Sequence, residues 1–151
     1  MRPMVAQISD IRLSDLNQIM IHEHDLFISP FTKEDYQFEI VSNPFATYKK
    51  IEIDNELVAW GGIHLLYEDS HLITIAVVRK YQHQGYGKVL LKHFIELSKE
   101  HEATKMLLEV REKNQIAINM YESLGFKYNR LRKNHYPDDN GIEMILDWGN
   151  L

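Results

Sequence analysis

The chain has 151 residues, 44 % of them hydrophobic and 26 % charged, which is the length of one ordinary domain with enough apolar material for a single closed core. Its 17 Lys plus Arg face 22 Asp plus Glu, and the resulting charge of −5 gives no general attraction to a nucleic-acid backbone while favouring cationic partners such as amines or basic peptide tails. The absence of cysteine excludes disulfides, cysteine–zinc sites and a covalent cysteine intermediate. Near the N-terminus Asp10, Arg12, Asp15, His22, Glu23, His24 and Asp25 interrupt every apolar run, so no signal core or membrane span is expected and the expected compartment is the cytosol.

No repeat or linker-like Gly/Ser/Pro stretch divides the sequence, and one domain over residues 1–151 is expected. Val5 to Ile11 reads as a strand, and Ser14-Asp15 is placed to cap a helix carrying Leu16, Ile19 and Met20 on one face. Thr32 caps a second helix through Tyr36, Phe38 and Ile40, which ends before Asn43-Pro44. Three strands follow over 47–53, 57–67 and 72–78, with Asp54-Asn55 as a hairpin turn. From Tyr86 to about Glu102 the period becomes helical through Val89, Leu90, Leu91, Phe94, Ile95 and Leu97. Lys105 to Val110 is again strand-like, Asn114 caps a helix through Leu124 that stops at Gly125, and 126–131 and 142–148 read as closing strands. The order β-α-α-β-β-β-α-β-α-β-β implies an α/β (α+β) fold with helices packed on a central sheet.

The segment from Ile73 to Gly87 carries the chemistry, because a strand there runs through a Gly-bearing turn into a helix N-terminus. Glycines admit close backbone approach, the first helical N–H groups point outward unpaired, and the helix dipole favours an anion such as a pyrophosphate. The spacing is not that of a phosphate-binding Walker loop, and Leu90 stands where a dinucleotide fingerprint needs its third glycine.

Gln82, Gly85 and Gly87 resemble the Q/R-x-x-G-x-G/A acetyl-coenzyme A motif of the GNAT superfamily of N-acetyltransferases. Further likeness runs through Leu108-Glu109-Val110-Arg111, Asn114, Ala117, Tyr121-Glu-Ser-Leu-Gly-Phe126 and Arg132-Lys-Asn134-His-Tyr136-Pro137, which are similar to the ribosomal-protein alanine N-acetyltransferases of the RimI type. The resemblance implies a single mixed, mostly antiparallel sheet, splayed in the middle near Val77 and Glu109, with helices on both faces. It implies that His83, Gln84, Gly85, Tyr86 and Gly87, with Gln82, offer backbone amides to the pyrophosphate of acetyl-coenzyme A. Ile75 and Val77 would present strand backbone to its pantetheine arm, and Asn114 would lie beside it. By the same resemblance Glu109 is the general base, Tyr121 is the general acid, and the acceptor is the N-terminal α-amine of a ribosomal protein. Where the family shows Asn-Tyr-Tyr-Pro, this chain has Asn134-His135-Tyr136-Pro137, in a loop that would border the acceptor channel.

The residue chemistry agrees independently. An ionised Glu109 between Leu108 and Val110 needs a charged or hydrogen-bonding partner, which an amine-binding site supplies. An α-amino group titrates near 7.7–8.0 and a lysine near 10.4, so the N-terminal amine is easier to deprotonate by about 3.5 kcal/mol. A phenol of reference pKa about 10 can donate to a thiolate near 8.5 once a site aligns them. Without cysteine, direct transfer in a ternary complex is expected in place of a ping-pong acyl-enzyme.

Plainer readings stand beside these. Tyr121 shares a helical face with Ile116, Ala117, Met120 and Leu124 and so also reads as core, while Glu109 also reads as a solvent-facing strand residue. His22-x-His24 lacks a third spaced ligand and reads as a solvated helix face, so no metal is expected; Asp138-Asp139 reads as a solvated hairpin turn and Trp60 as core. A polyamine or other free amine is the alternative acceptor, and a coenzyme A-binding module without turnover is the alternative class. The sequence carries no signal for oligomeric state.

Overall fold

A computed structural model describes residues 6–149. Among the described residues seven strands and four α-helices follow in the order the sequence implies, and the strands are hydrogen-bonded in the order β1-β2-β3-β4-β5-β7-β6. They are β1 (Gln7–Asp10), β2 (Ala46–Ile53), β3 (Glu56–Leu66), β4 (Asp69–Val77), β5 (Lys105–Arg111), β6 (Lys127–Tyr136) and β7 (Asp139–Asp147). The helices are α1 (Leu16–Leu26), α2 (Lys33–Gln37), α3 (Tyr86–Glu100) and α4 (Gln115–Ser123). The sheet is mixed, parallel at β4–β5 and antiparallel at β1–β2, β2–β3, β5–β7 and β6–β7. The β4–β5 ladder holds three pairs and ends at His71↔Leu107. Parallel neighbours need a crossover, which α3 supplies. The expected start of β1 at Val5 lies outside the described residues.

The chain divides into two compact units, one built from the chain up to His64 with Thr74–Phe94, the other from Leu65–Ile73 with the chain from Ile95 onward. In the first unit the β2–β3 hairpin turns on Asp54 and Asn55, both left-handed at φ 51° and 64°, the pair of signs that matches the strands' own twist. Thr32 caps α2 reciprocally: its hydroxyl accepts from Asp35 N at 3.0 Å while Asp35 Oδ2 accepts from Thr32 N at 2.8 Å. The helix expected through Ile40 changes character at Phe38, where residues Phe38–Ser42 form a wider π turn. Asp15 precedes α1 without a side-chain capping bond, because its carboxylate instead accepts from Arg12 N and from Lys50 Nζ, each at 2.8 Å.

The core of this unit includes Leu16, Ile19, Tyr36, Tyr48 and Trp60, which confirms the core reading of Trp60. The His22-Glu23-His24-Asp25 segment is not solvated throughout. Glu23 is buried, accepting from Tyr36 Oη at 2.5 Å and from Phe31 N at 2.9 Å, and Tyr36 Oη in turn accepts from Trp60 Nε1 at 2.9 Å. Burial pushes the Glu23 carboxyl above its ordinary value, against the pull of the bonds from Tyr36 and Phe31. Glu23→Ala is expected to cost about 2–4 kcal/mol, because the buried Tyr36 hydroxyl and the half-buried Phe31 N–H lose their acceptor at once. Urea unfolding at an unchanged m-value measures it, and a loss below about 0.5 kcal/mol would contradict the network's importance.

In the second unit β7 pairs with β5 from Lys105↔Asp147 to Arg111↔Gly141 and with β6 on its other side. Asn114 caps α4, its Oδ1 accepting from Ala117 N at 3.2 Å. The closing strands are longer than the sequence reading allowed, since β6 runs on to Tyr136 and β7 begins at Asp139. The segment Arg132 to Tyr136 is therefore strand and not a loop. Its polar run hid it: β6 is an edge strand, mostly exposed, so it has no apolar alternation to read.

Candidate active site

Two clusters contain the residues singled out in the sequence, one in each unit. In the first unit Ile75 and Val77 end β4, half-buried, and the chain turns through Arg79–Tyr81 into α3. Gln82 works inside this turn, its Nε2 donating to Val77 O at 3.1 Å, so its side chain fixes the loop and leaves any ligand to the backbone. His83 and Gly85 are both left-handed, at φ 65° and 90°, and they bring exposed backbone up to the helix start. The i→i−4 ladder begins with Val89 N donating to Gly85 O at 3.0 Å, so the N–H groups of Tyr86, Gly87 and Lys88 precede it.

A Cβ on Gly85 would meet nothing within 4 Å, which leaves open space beside those N–H groups. Arg79 is engaged by Asp25 at 3.0 Å and Lys80 by Glu56, so attraction for an anion falls to backbone and helix dipole. The arrangement fits a pyrophosphate. Gly85→Val is expected to raise the apparent Kd for a coenzyme A ester about tenfold or more, since a branched side chain is strained at positive φ and fills the open space. Isothermal titration measures this, and an unaltered Kd would refute the placement.

In the second unit Glu109 and Arg111 project from one side of β5. Glu109 Oε1 is ion-paired with Arg132 Nη1 of β6, and His135 Nε2 stands against Oε2. That second contact is out of line for a hydrogen bond, and Oε2 is a buried oxygen that accepts none among the described residues. The plain reading of Glu109 as a solvent-facing strand residue is corrected on this point. Arg111 pairs with Asp138 and lies 4.2 Å over the Tyr136 ring, so Asp138 braces the end of β5. Asp139 accepts from Lys113 N at 3.0 Å, and the acidic pair is thus only partly a solvated turn.

Tyr121 lies on α4 at 6 % exposure, its ring 5.9 Å from Phe126. Burial pushes its phenol up, and the neighbouring Tyr136 adds to the shift, so it stays protonated well above neutral pH. Asn114 is exposed with its Oδ1 committed to capping α4. The structure thus brings Glu109, Arg132 and His135 into contact, whereas sequence reasoning gave Arg132 no role and read His135 only as a departure from a family pattern. Among the described residues no group of three or more His, Asp or Glu side chains is arranged to hold a metal, and no helix is long and apolar enough to cross a membrane.

Residues 12–126 match the acetyltransferase (GNAT) family. A Bacillus subtilis protein provisionally named a ribosomal protein bS18-alanine N-acetyltransferase is 34 % identical over 143 residues, covering 95 % of this chain and 94 % of that one. The ribosomal protein bS18-alanine N-acetyltransferase of Escherichia coli K12 is 30 % identical over 138 residues, covering 90 % of each. The crystal structure of the ribosomal-protein-S18-alanine N-acetyltransferase from Escherichia coli superposes with a TM-score of 0.88 at 27 % identity, covering 95 % of this chain and 94 % of that one. The family match and these relatives define the class, an N-acetyltransferase. The chain belongs to the GNAT family.

Proposed function

We propose that this protein acetylates the N-terminal α-amine of a protein, with a ribosomal protein beginning in alanine as the leading acceptor, working as one domain in the cytosol. The donor is acetyl-coenzyme A, which supplies the acetyl group as a thioester. Its pyrophosphate is held by the backbone of His83, Gln84, Gly85, Tyr86 and Gly87 in the loop that Gln82 fixes. Ile75 and Val77 offer strand backbone to its arm, and Asn114 lies beside it. The observation that supports the reading is Glu109: Arg132 holds one carboxylate oxygen, while the other is buried, touches His135 Nε2 without a hydrogen bond, and so keeps capacity to accept a proton.

In this reading the acceptor's ammonium gives its proton to Glu109 Oε2, and the freed amine attacks the acetyl carbonyl directly. Tyr121, kept protonated by burial, supplies a proton to the departing sulfur and regains one from the adduct nitrogen, which sheds its second proton as the amide forms. In this reading transfer is direct, and the chain has no cysteine to carry a thioester intermediate. The relatives named for alanine N-acetylation support the acceptor.

The test is a competition in one tube among a peptide with a free N-terminal alanine, its N-blocked counterpart with an internal lysine, and spermidine. Label on the free N-terminus is the expected result. Label on lysine or spermidine would overturn the acceptor while keeping the chemistry.

A further inference from the structure

The buried oxygen of Glu109 raises a proton-disposal problem. Every turnover leaves one proton on the base, yet Oε2 is shielded from water and has no hydrogen bond among the described residues. The side chain in contact with it is His135, whose own exposure is 30 %.

His135 reaches this position through an irregularity in β6. The register passes from Arg132↔Gly141 to Tyr136↔Asp139, so β6 carries more residues than β7 between those two pairs. Residues three apart on a regular strand face opposite sides, and the bulge is what lets both Arg132 and His135 meet Glu109. Asn134 holds it, left-handed at φ 54° with its N donating to Asn140 Oδ1 at 2.9 Å. Gly141 makes room for the imidazole, since a Cβ there would lie 3.0 Å from His135 Cβ and Cδ2. Tyr136 meets the ring edge-on at 4.7 Å.

We propose that His135 is a positioning and proton-relay residue for Glu109, a role that rests on the general-base reading above. The proton taken by Glu109 Oε2 passes to His135 Nε2 and the proton on Nδ1 leaves for water; solvent exchange that moves the proton from Nε2 back to Nδ1 when the ring turns then restores the starting tautomer, so both groups return to their starting state and one proton reaches solvent per turnover. Imidazole suits the task because it exchanges protons near neutral pH at two separate nitrogens. The contact is not aligned as a hydrogen bond, so a turn of the ring is part of the relay. Glu109 of β5 and Tyr136 of β6 touch the ring, and behind them stand Arg132, paired with Glu109, Arg111, over Tyr136 and paired with Asp138, and Asp139, whose charge reaches Tyr136.

The experiment compares His135→Ala, His135→Asn and Glu109→Gln with saturating acetyl-coenzyme A and a peptide beginning in alanine. His135→Ala should lower kcat about tenfold with little change in peptide KM, and added imidazole should restore it in proportion to its concentration. His135→Asn, which fills the space without exchanging a proton, should be as slow and unresponsive to imidazole. The relay is overturned by an unchanged kcat in His135→Ala, by a loss that falls on KM, or by recovery of activity in His135→Asn. If Glu109→Gln loses activity while His135→Ala does not, the relay alone fails; parental kcat in Glu109→Gln removes the base and the relay together.

Discussion

Glu109→Gln is expected to lower kcat by about 10² to 10⁴ near neutral pH while leaving acetyl-coenzyme A affinity close to the parent, because general-base assistance carries that range of rate. The substitution is nearly isosteric and keeps an oxygen for Arg132 Nη1, so β5 and its pairing with β7 should survive. What it removes is a group at Oε2 able to take a proton. Steady-state kinetics with separate donor and acceptor titrations check this. An unchanged kcat would remove Glu109 from the chemistry, and a fall in donor affinity would reassign it to binding.

The second large effect is expected at Tyr121. Tyr121→Phe should reduce kcat by about 10²-fold, with the fold kept because the ring contact with Phe126 at 5.9 Å needs no hydroxyl. The sign of the pH dependence follows from burial: a general acid must be protonated to act, and a phenol pushed up by desolvation loses its proton only above the ordinary tyrosine range. The parent's activity should therefore show no loss from this group at moderately alkaline pH. A Tyr121→Phe variant with parental kcat would leave Tyr121 as the core residue that its helical face also implies.

Much of this was legible in the sequence. The order of elements follows from apolar period and punctuation, since Asp54-Asn55, Thr32, Asn114 and Gly125 each mark a boundary by local chemistry that needs no tertiary context. The loop before α3 was legible for the same reason, as a left-handed Gly85 beside a helix start is a local signal. Three features were not. Glu23 looked solvated among His22, His24 and Asp25, and only the approach of Tyr36 and Phe31 makes it a core acceptor. The continuation of β6 to Tyr136 was masked because an exposed edge strand carries no alternation. The meeting of Arg132 and His135 on Glu109 depends on a bulge and on the register of three strands, which are long-range facts that no spacing encodes.

The most direct test of the central claim is release of free coenzyme A thiol from acetyl-coenzyme A by the purified protein, followed with and without a peptide bearing a free N-terminal alanine. The account predicts release only when the peptide is present, one acetyl group on its α-amine per thiol, and loss of both signals in Glu109→Gln. Thiol release at the same rate without the peptide, or an acetyl group carried on the protein itself, would contradict direct transfer.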